Sequence, residues 1–215
     1  MGKIILIVLT VAALFIMSLF CTGEPIKESE AQKENETEQG AETCRERAEV
    51  TRIVLKDGGK SEIYGEGAEA SFFGVSINGT GKYRISGTLR DGQICAEAEE
   101  GMELILDGVK VSSSRGAALT LTGKNATLTL AAGSENRLSD AYEYKEGEYA
   151  QGCVSAERSL VIGGSGTLSV SGNFADGIVC GGELRIESGN LNVSAARNAL
   201  KGEGIVLSGG KVVFI

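Results

Sequence analysis

Short apolar-x-apolar triplets, separated by glycine-rich turns and recurring every 21 to 32 residues, predict an all-β chain. The recurrence predicts winding as a parallel β-helix with coils of roughly 22 residues. Two compositional observations agree. Glycine supplies 31 of 215 residues while proline occurs once, and aromatic residues are 5% of the chain with no Trp. Coil corners that need positive φ favour glycine. A narrow coil interior is filled by Leu, Ile, Val and Ala rather than by rings.

The first rank of strands consists of Leu104/Leu106, Leu128/Leu130, Leu160/Ile162, Leu184/Ile186 and Ile205/Leu207, each pair flanking one outward residue. The second members are spaced by 24, 32, 24 and 21 residues, and the long interval holds a Tyr/Glu-rich insertion over 141–151. A second rank follows each first: Val109/Val111, Leu168/Val170, Leu191/Val193 and Val212/Phe214. Asp107-Gly108, between the first two ranks, reads as a corner. Val154, Ile178 and Leu200 mark a shorter third rank. One coil cannot bury its apolar face alone, so stacking must supply the core. An antiparallel sandwich would use similar strands, but at hairpin spacing rather than at a fixed longer period.

Ahead of this body, Lys3 precedes an apolar run over 4–20 in which Thr10 and Ser18 are the polar members. Such a run reads as a secretory signal and is near the lower length for an uncleaved membrane anchor. Cys21 follows and would be the lipidation site of a lipoprotein-type signal, although Phe20 stands where such signals carry a small residue. Residues 1–21 are therefore a signal peptide or lipoprotein anchor. Residues 22–48 carry eight Glu against four Lys/Arg and form an acidic, disordered tether. Residues 49–215 form the β-helix domain. The expected location is extracellular or at the cell surface, membrane-tethered through the N-terminal segment alone.

Composition excludes several chemistries. With no His, imidazole triads and His-ligated zinc or haem are ruled out. The formal charge of −8 speaks against nucleic acid. In the body, 21 acidic and 16 basic residues leave −5, so a polyanion would have to be bound through a local basic cluster or a bridging cation.

The segments YRISGTLRDGQI, LILDGVKVSSSRGAALTL, LVIGGSGTLSVSGNFADGIV and LRIESGNLNVSAARNALKGEGIVLSGG follow one another from Tyr83. In this order they resemble the secreted carbohydrate-binding proteins called carbohydrate-binding domain-containing proteins, over about residues 50–215. The resemblance implies a right-handed, pectate-lyase-like parallel β-helix. It also implies non-catalytic binding of acidic polysaccharide such as polygalacturonate, with Ca²⁺ as a bound ion. This chain departs from the family's acidic corners at Ala175-Asp176-Gly177-Ile178, at Arg197-Asn198-Ala199-Leu200 and at Val179-Cys180-Gly181-Gly182, and each missing carboxylate weakens a calcium site.

The oxygen donors for a cation are Asp176, Asn198, Glu203 and Asp140, although Asp and Asn beside glycine also serve simply as turn residues. Lys201, at the family's lysine position, is the first basic contact for sugar carboxylates. Arg197, Arg185 and Arg158 join it if they stack along one side. No carboxylate pair on adjacent coils suggests catalysis. A polysaccharide lyase and a structural or adhesive surface protein are the alternatives.

Cys153 and Cys180 fall three positions apart on adjacent coils and are expected as buried thiols rather than a disulfide. Cys44 with Cys95 is a conceivable staple between tether and first coil. Sequons start at Asn35, Asn78, Asn125 and Asn192. The uncapped strand-like segment 211–215 suggests self-association through that coil.

Overall fold

A computed structural model describes residues 50–144 and 151–215 of the chain. The signal or anchor with Cys21, the tether and Cys44 lie outside the described residues. The N-terminal part of the body contains β1 (Val50–Leu55), β2 (Glu62–Tyr64), β3 (Ala68–Ser71), β4 (Gly74–Gly79), β5 (Lys82–Leu89), β6 (Gln93–Ala98) and β7 (Glu103–Ser112). The middle contains β8 (Leu119–Gly123), β9 (Ala126–Leu130), β10 (Glu135–Ser139), β11 (Gly152–Ala156), β12 (Leu160–Gly164) and β13 (Thr167–Gly172). The remainder contains β14 (Asp176–Cys180), β15 (Glu183–Ile186), β16 (Asn190–Ala195), β17 (Leu200–Lys201), β18 (Gly204–Leu207) and β19 (Lys211–Phe214).

The expectation of a right-handed, pectate-lyase-like parallel β-helix with coils of roughly 22 residues is corrected by the sheet topology. The strands form two sheets, of 12 and 7 strands, in an all-β arrangement of sandwich type. The larger runs β18-β15-β12-β9-β7-β10-β13-β16-β19, with β5, β1 and β2 branching from β7; the smaller runs β17-β14-β11-β8-β6-β4-β3. Pairing is parallel through most of both sheets, but β1 with β2 and β3 with β4 are antiparallel.

Strand β7 is the physical reason that two ranks share one sheet. It is ten residues long; its first half pairs with β9 and its second half with β10. Asp107-Gly108 is therefore not a corner between strands. The β5–β7 register shifts between Ile85↔Leu106 and Gly87↔Val109, which makes Asp107-Gly108 a bulge inside one continuous, curled strand. Buried Asn136 on β10 holds the bulge: its Oδ1 accepts the Gly108 and Val109 N–H at 3.0 and 2.9 Å. Its Nδ2 donates to Ser134 Oγ and to the Thr167 carbonyl.

Outside the bulge, apolar side chains stack in register. Leu104 lies beside Leu128, Leu128 beside Ile162, Ile162 beside Ile186 and Ile186 beside Leu207. Leu130 pairs with Gly164 rather than with Ile162, a two-residue slip from the spacing read in the sequence. A two-residue slip keeps the same face inward, whereas one residue would expose it. Gly164 has φ +97°, and a Cβ there would run into the Leu130 carbonyl oxygen, so the slip itself requires glycine.

The larger sheet contributes Leu104, Leu128, Ile162, Ile186 and Leu191 to the core, and the smaller contributes Ile94, Leu119, Val154 and Ile178. Each such fully buried side chain is worth about 1.5–3 kcal/mol of transfer free energy. Cys153 and Cys180 are buried thiols, and burial pushes both above the ordinary thiol range. Cys95 is exposed on β6. At β18 and β19, Ile205, Leu207 and Phe214 remain exposed.

Candidate functional site

The turns leading from the larger to the smaller sheet stack on one another. The turn after β13 ends at Asp176, the first residue of β14, and the turn after β16 ends just before Leu200 in β17. Arg197 N–H donates to the Ala175 carbonyl at 2.7 Å, and Gly177 N–H to the Asn198 carbonyl at 2.8 Å. This stacking drives the Asp176 side chain fully out of solvent.

A buried carboxylate is costly unless it is paired and hydrogen-bonded. Asp176 Oδ1 accepts the Asn198 backbone N–H at 3.1 Å and its Nδ2 at 2.9 Å, with Arg197 Nε at 3.9 Å. Asp176 Oδ2 accepts no hydrogen bond and instead faces Lys201 Nζ at 3.5 Å. Lys201 also donates to Gln151 Oε1 at 3.4 Å. Arg197 and Lys201 keep 58% and 47% of their side-chain surface in solvent. One buried negative charge shared by two half-exposed cations leaves the corner with a net positive charge, on a chain whose overall charge is −8.

Four of the eight sequence-predicted residues for cation or carboxylate binding meet here: Asp176, Asn198, Arg197 and Lys201. Asp140 sits one corner away at the end of β10, buried, with its oxygens engaged by Tyr144 Oη at 2.7 Å and by the Asn173 backbone N–H. Burial raises its pKa, and these hydrogen bonds oppose the rise. Tyr144 stacks on Phe174 with 4.3 Å between ring centroids, so Asp140 braces the corner. Glu203 lies after β17, where its backbone N–H donates to the Gly182 carbonyl at 2.9 Å, and it forms no hydrogen bond or ion pair with Asp176.

Arg158 lies at a different turn, in a crevice of about 440 Å³ with Lys124 and Asn125. Arg185 is on the larger sheet, paired with Glu183 at 2.6 Å. The four basic residues therefore do not form a single ladder.

The same donors test the fit of Ca²⁺. Among the described residues, no group of three or more Asp, Glu, Cys or His side chains comes together. Asp176 and Asn198, the one pair of predicted ligands in contact, already face two cations, and hard cations need six to eight oxygens. These residues do not fit a calcium ion.

Sequence reasoning missed a cleft of about 760 Å³ next to this corner. Its walls include Ser112, Ser139, Ser171 and Asn173, and Tyr142 stands at its rim with 81% of its surface exposed. The signal that could have revealed it is the recurrence of Ser after the second-rank apolar residue, at Val111-Ser112, Leu138-Ser139 and Val170-Ser171.

A family model described as carbohydrate-binding domain-containing protein matches residues 73–214. A curated relative from Acetivibrio thermocellus, called a carbohydrate-binding domain-containing protein, is 34% identical over 137 residues. That match takes in 60% of this chain and 48% of the relative, so the chain spans about half the length of that protein. A solved structure, described as a gadolinium derivative of the polysaccharide lyase-like protein from C. thermocellum, is similar at a TM-score of 0.71 and 32% identity. It covers 77% of this chain and 70% of its own.

Proposed function

The chain belongs to the carbohydrate-binding domain-containing family, and from that premise we propose that it is a non-catalytic, cell-surface binder of acidic, polygalacturonate-like polysaccharide. The observation that carries the proposal is the corner where Arg197 and Lys201 share buried Asp176. Both cations are pre-positioned, so little side-chain entropy is lost when a sugar carboxylate arrives. Arg197 offers a planar fork for bidentate contact and Lys201 a point charge. Asp176 is buried and faces both cations, so its carboxylate offers no solvent-accessible nucleophile.

The pairing is direct, without a bridging ion. Affinity therefore falls as salt screens the two cations and is unchanged by added Ca²⁺. The test is a titration of the full chain with polygalacturonate at low and high salt, with and without Ca²⁺, beside Arg197→Gln. Saturable binding, weakened about tenfold in Arg197→Gln, supports the reading. Absence of binding in every condition overturns it. Appearance of an ultraviolet-absorbing unsaturated product would instead favour a lyase, the activity after which the C. thermocellum structure is described as "lyase-like".

A further inference from the structure

The outer face of the larger sheet carries a second arrangement, built from register rather than from a corner. Lys110 on β7 lies directly beside Arg137 on β10, which lies beside Ser169 on β13, which lies beside Asn192 on β16. Two residues further along the same strands, Ser112, Ser139, Ser171 and Ser194 are likewise in register. Side chains two apart share a face, so the two rows run side by side.

Lys110 and Arg137 are both exposed, and among the described residues neither has a hydrogen-bond or ion-pair partner. Glu135, two residues before Arg137 on the same face, forms no ion pair with it. Like charges directly alongside in a sheet are unfavourable. Three other cations on this sheet are compensated: Lys82 by Glu103 at 3.3 Å, Arg84 by Asp107 at 3.2 Å and Arg185 by Glu183. Arg52 on β1 and Lys211 on β19 form no ion pair among the described residues. An acidic chain has carboxylates to spare for such pairing, yet this step is left without one.

The serine row forms part of the wall of the 760 Å³ cleft, whose lining also includes the exposed ring of Tyr142, Arg90 held by Asp57 at 3.1 Å, and two acids, buried Asp140 and Glu143. Lys110 and Arg137 stand on the sheet face beside the cleft rather than in its wall. Hydroxyls both donate and accept, which suits sugar hydroxyls of either orientation. Neighbouring strands lie about 4.8 Å apart, so a chain laid across β7, β10 and β13 meets a fresh hydroxyl at each strand.

We infer that this face is a binding groove for an extended anionic polysaccharide, with Lys110 and Arg137 as its carboxylate contacts and the serine row with Tyr142 as its sugar-hydroxyl and ring contacts. The inference rests on the polysaccharide-binding reading above and extends it from one corner to a track. Beyond Ser171 the chain passes through Asn173, on the cleft wall, to Asp176, the carboxylate that Arg197 and Lys201 face. A single corner holds one or two sugars, whereas the track engages several consecutive ones.

The test uses the full chain with three variants: Lys110→Gln/Arg137→Gln, Tyr142→Ala and Arg197→Gln. Each is titrated with polygalacturonate and with its fully methyl-esterified form, and melting is followed in parallel. The double variant is expected to bind polygalacturonate at least tenfold more weakly, with a shallower salt dependence and an unchanged or higher melting temperature. Tyr142→Ala should weaken both ligands to a similar degree. If the wild type binds but the double variant binds equally well, or if the wild type binds acid and ester equally, the groove assignment is overturned while polysaccharide binding stands. If the wild type binds neither ligand, the functional reading fails and takes the groove with it.

Discussion

Strand β7 carries charges in both of its halves, and its neighbours treat the halves in opposite ways. In the first half, Glu103 accepts Lys82 across the β5–β7 ladder and also the Thr129 hydroxyl at 2.6 Å, while Asp107 accepts Arg84. In the second half, Lys110 is set beside Arg137 with nothing between them. The two halves share a strand and a sheet, but Glu103 keeps only 23% of its side chain in solvent whereas Lys110 and Arg137 are exposed, so the halves differ in covering as well as in residue choice. Complementary pairs contribute modestly to holding strands in register; a repelling pair contributes nothing to folding and leaves two cations free for an external carboxylate.

The comparison can be broken most severely at the bulge that divides the halves. Asn136→Ala removes four hydrogen bonds and leaves the Gly108 and Val109 N–H groups without acceptors. Each buried unsatisfied group costs about 1–3 kcal/mol, so urea denaturation should show a loss of about 3 kcal/mol or more. An unchanged denaturation midpoint would mean that the bulge needs no support.

Arg137→Glu converts the second half into a copy of the first. It should gain about 0.2–1 kcal/mol of stability through the new pair with Lys110. The same change should lower polygalacturonate affinity more than tenfold. Opposite signs in melting and in binding are the signature of a position kept for a ligand; loss of both would make Arg137 structural.

Arg84→Ala applies the converse change to the compensated half. The Arg84–Asp107 pair is about half exposed, so its removal should cost no more than about 1 kcal/mol and leave polygalacturonate affinity untouched. A tenfold loss of binding in this variant would show that the groove extends onto β5.

The smallest effect is expected at Asp140, which borders the groove. Its folded-state pKa lies above the unfolded value because burial disfavours the carboxylate. Between those two values the folded state binds more protons, so the contribution of Asp140 to stability falls as pH rises through that window. Asp140→Asn, which retains an acceptor for the Asn173 N–H, should therefore melt slightly above the wild type at neutral pH. The advantage should vanish as pH falls to the ordinary carboxylate range. An advantage that grows in acid would reverse the sign of the assignment.

The apolar pairs Leu104/Leu106, Leu160/Ile162 and Leu184/Ile186 were legible as strands because period-two alternation records which face is inward. The pairing of Asp176 with Asn198 was legible because equal spacing puts both at the same point of consecutive turns. The β10 strand was harder to read, since Asn136 occupies an inward position where an apolar residue would be expected. That position serves the Gly108 and Val109 amides, which are 28 and 27 residues away. The same break hid Arg137, and with it the step beside Lys110.

The sequence by itself determined that the body is all-β, aliphatic inside, without imidazole chemistry, and carries Arg197 and Lys201 next to the Asp and Asn that recur at consecutive turns. These properties are local: they depend on residue type and on alternation along the strand. The tertiary structure decided the rest. It turned Asp107-Gly108 from a corner into a bulge, merged two ranks into one curled sheet, slipped Leu128 into register with Ile162, and separated Arg158 and Arg185 from Lys201. Strand register is set by contacts between residues 20 to 35 positions apart. Their energies depend on which side chains and bulge amides meet, and no window of sequence contains both partners.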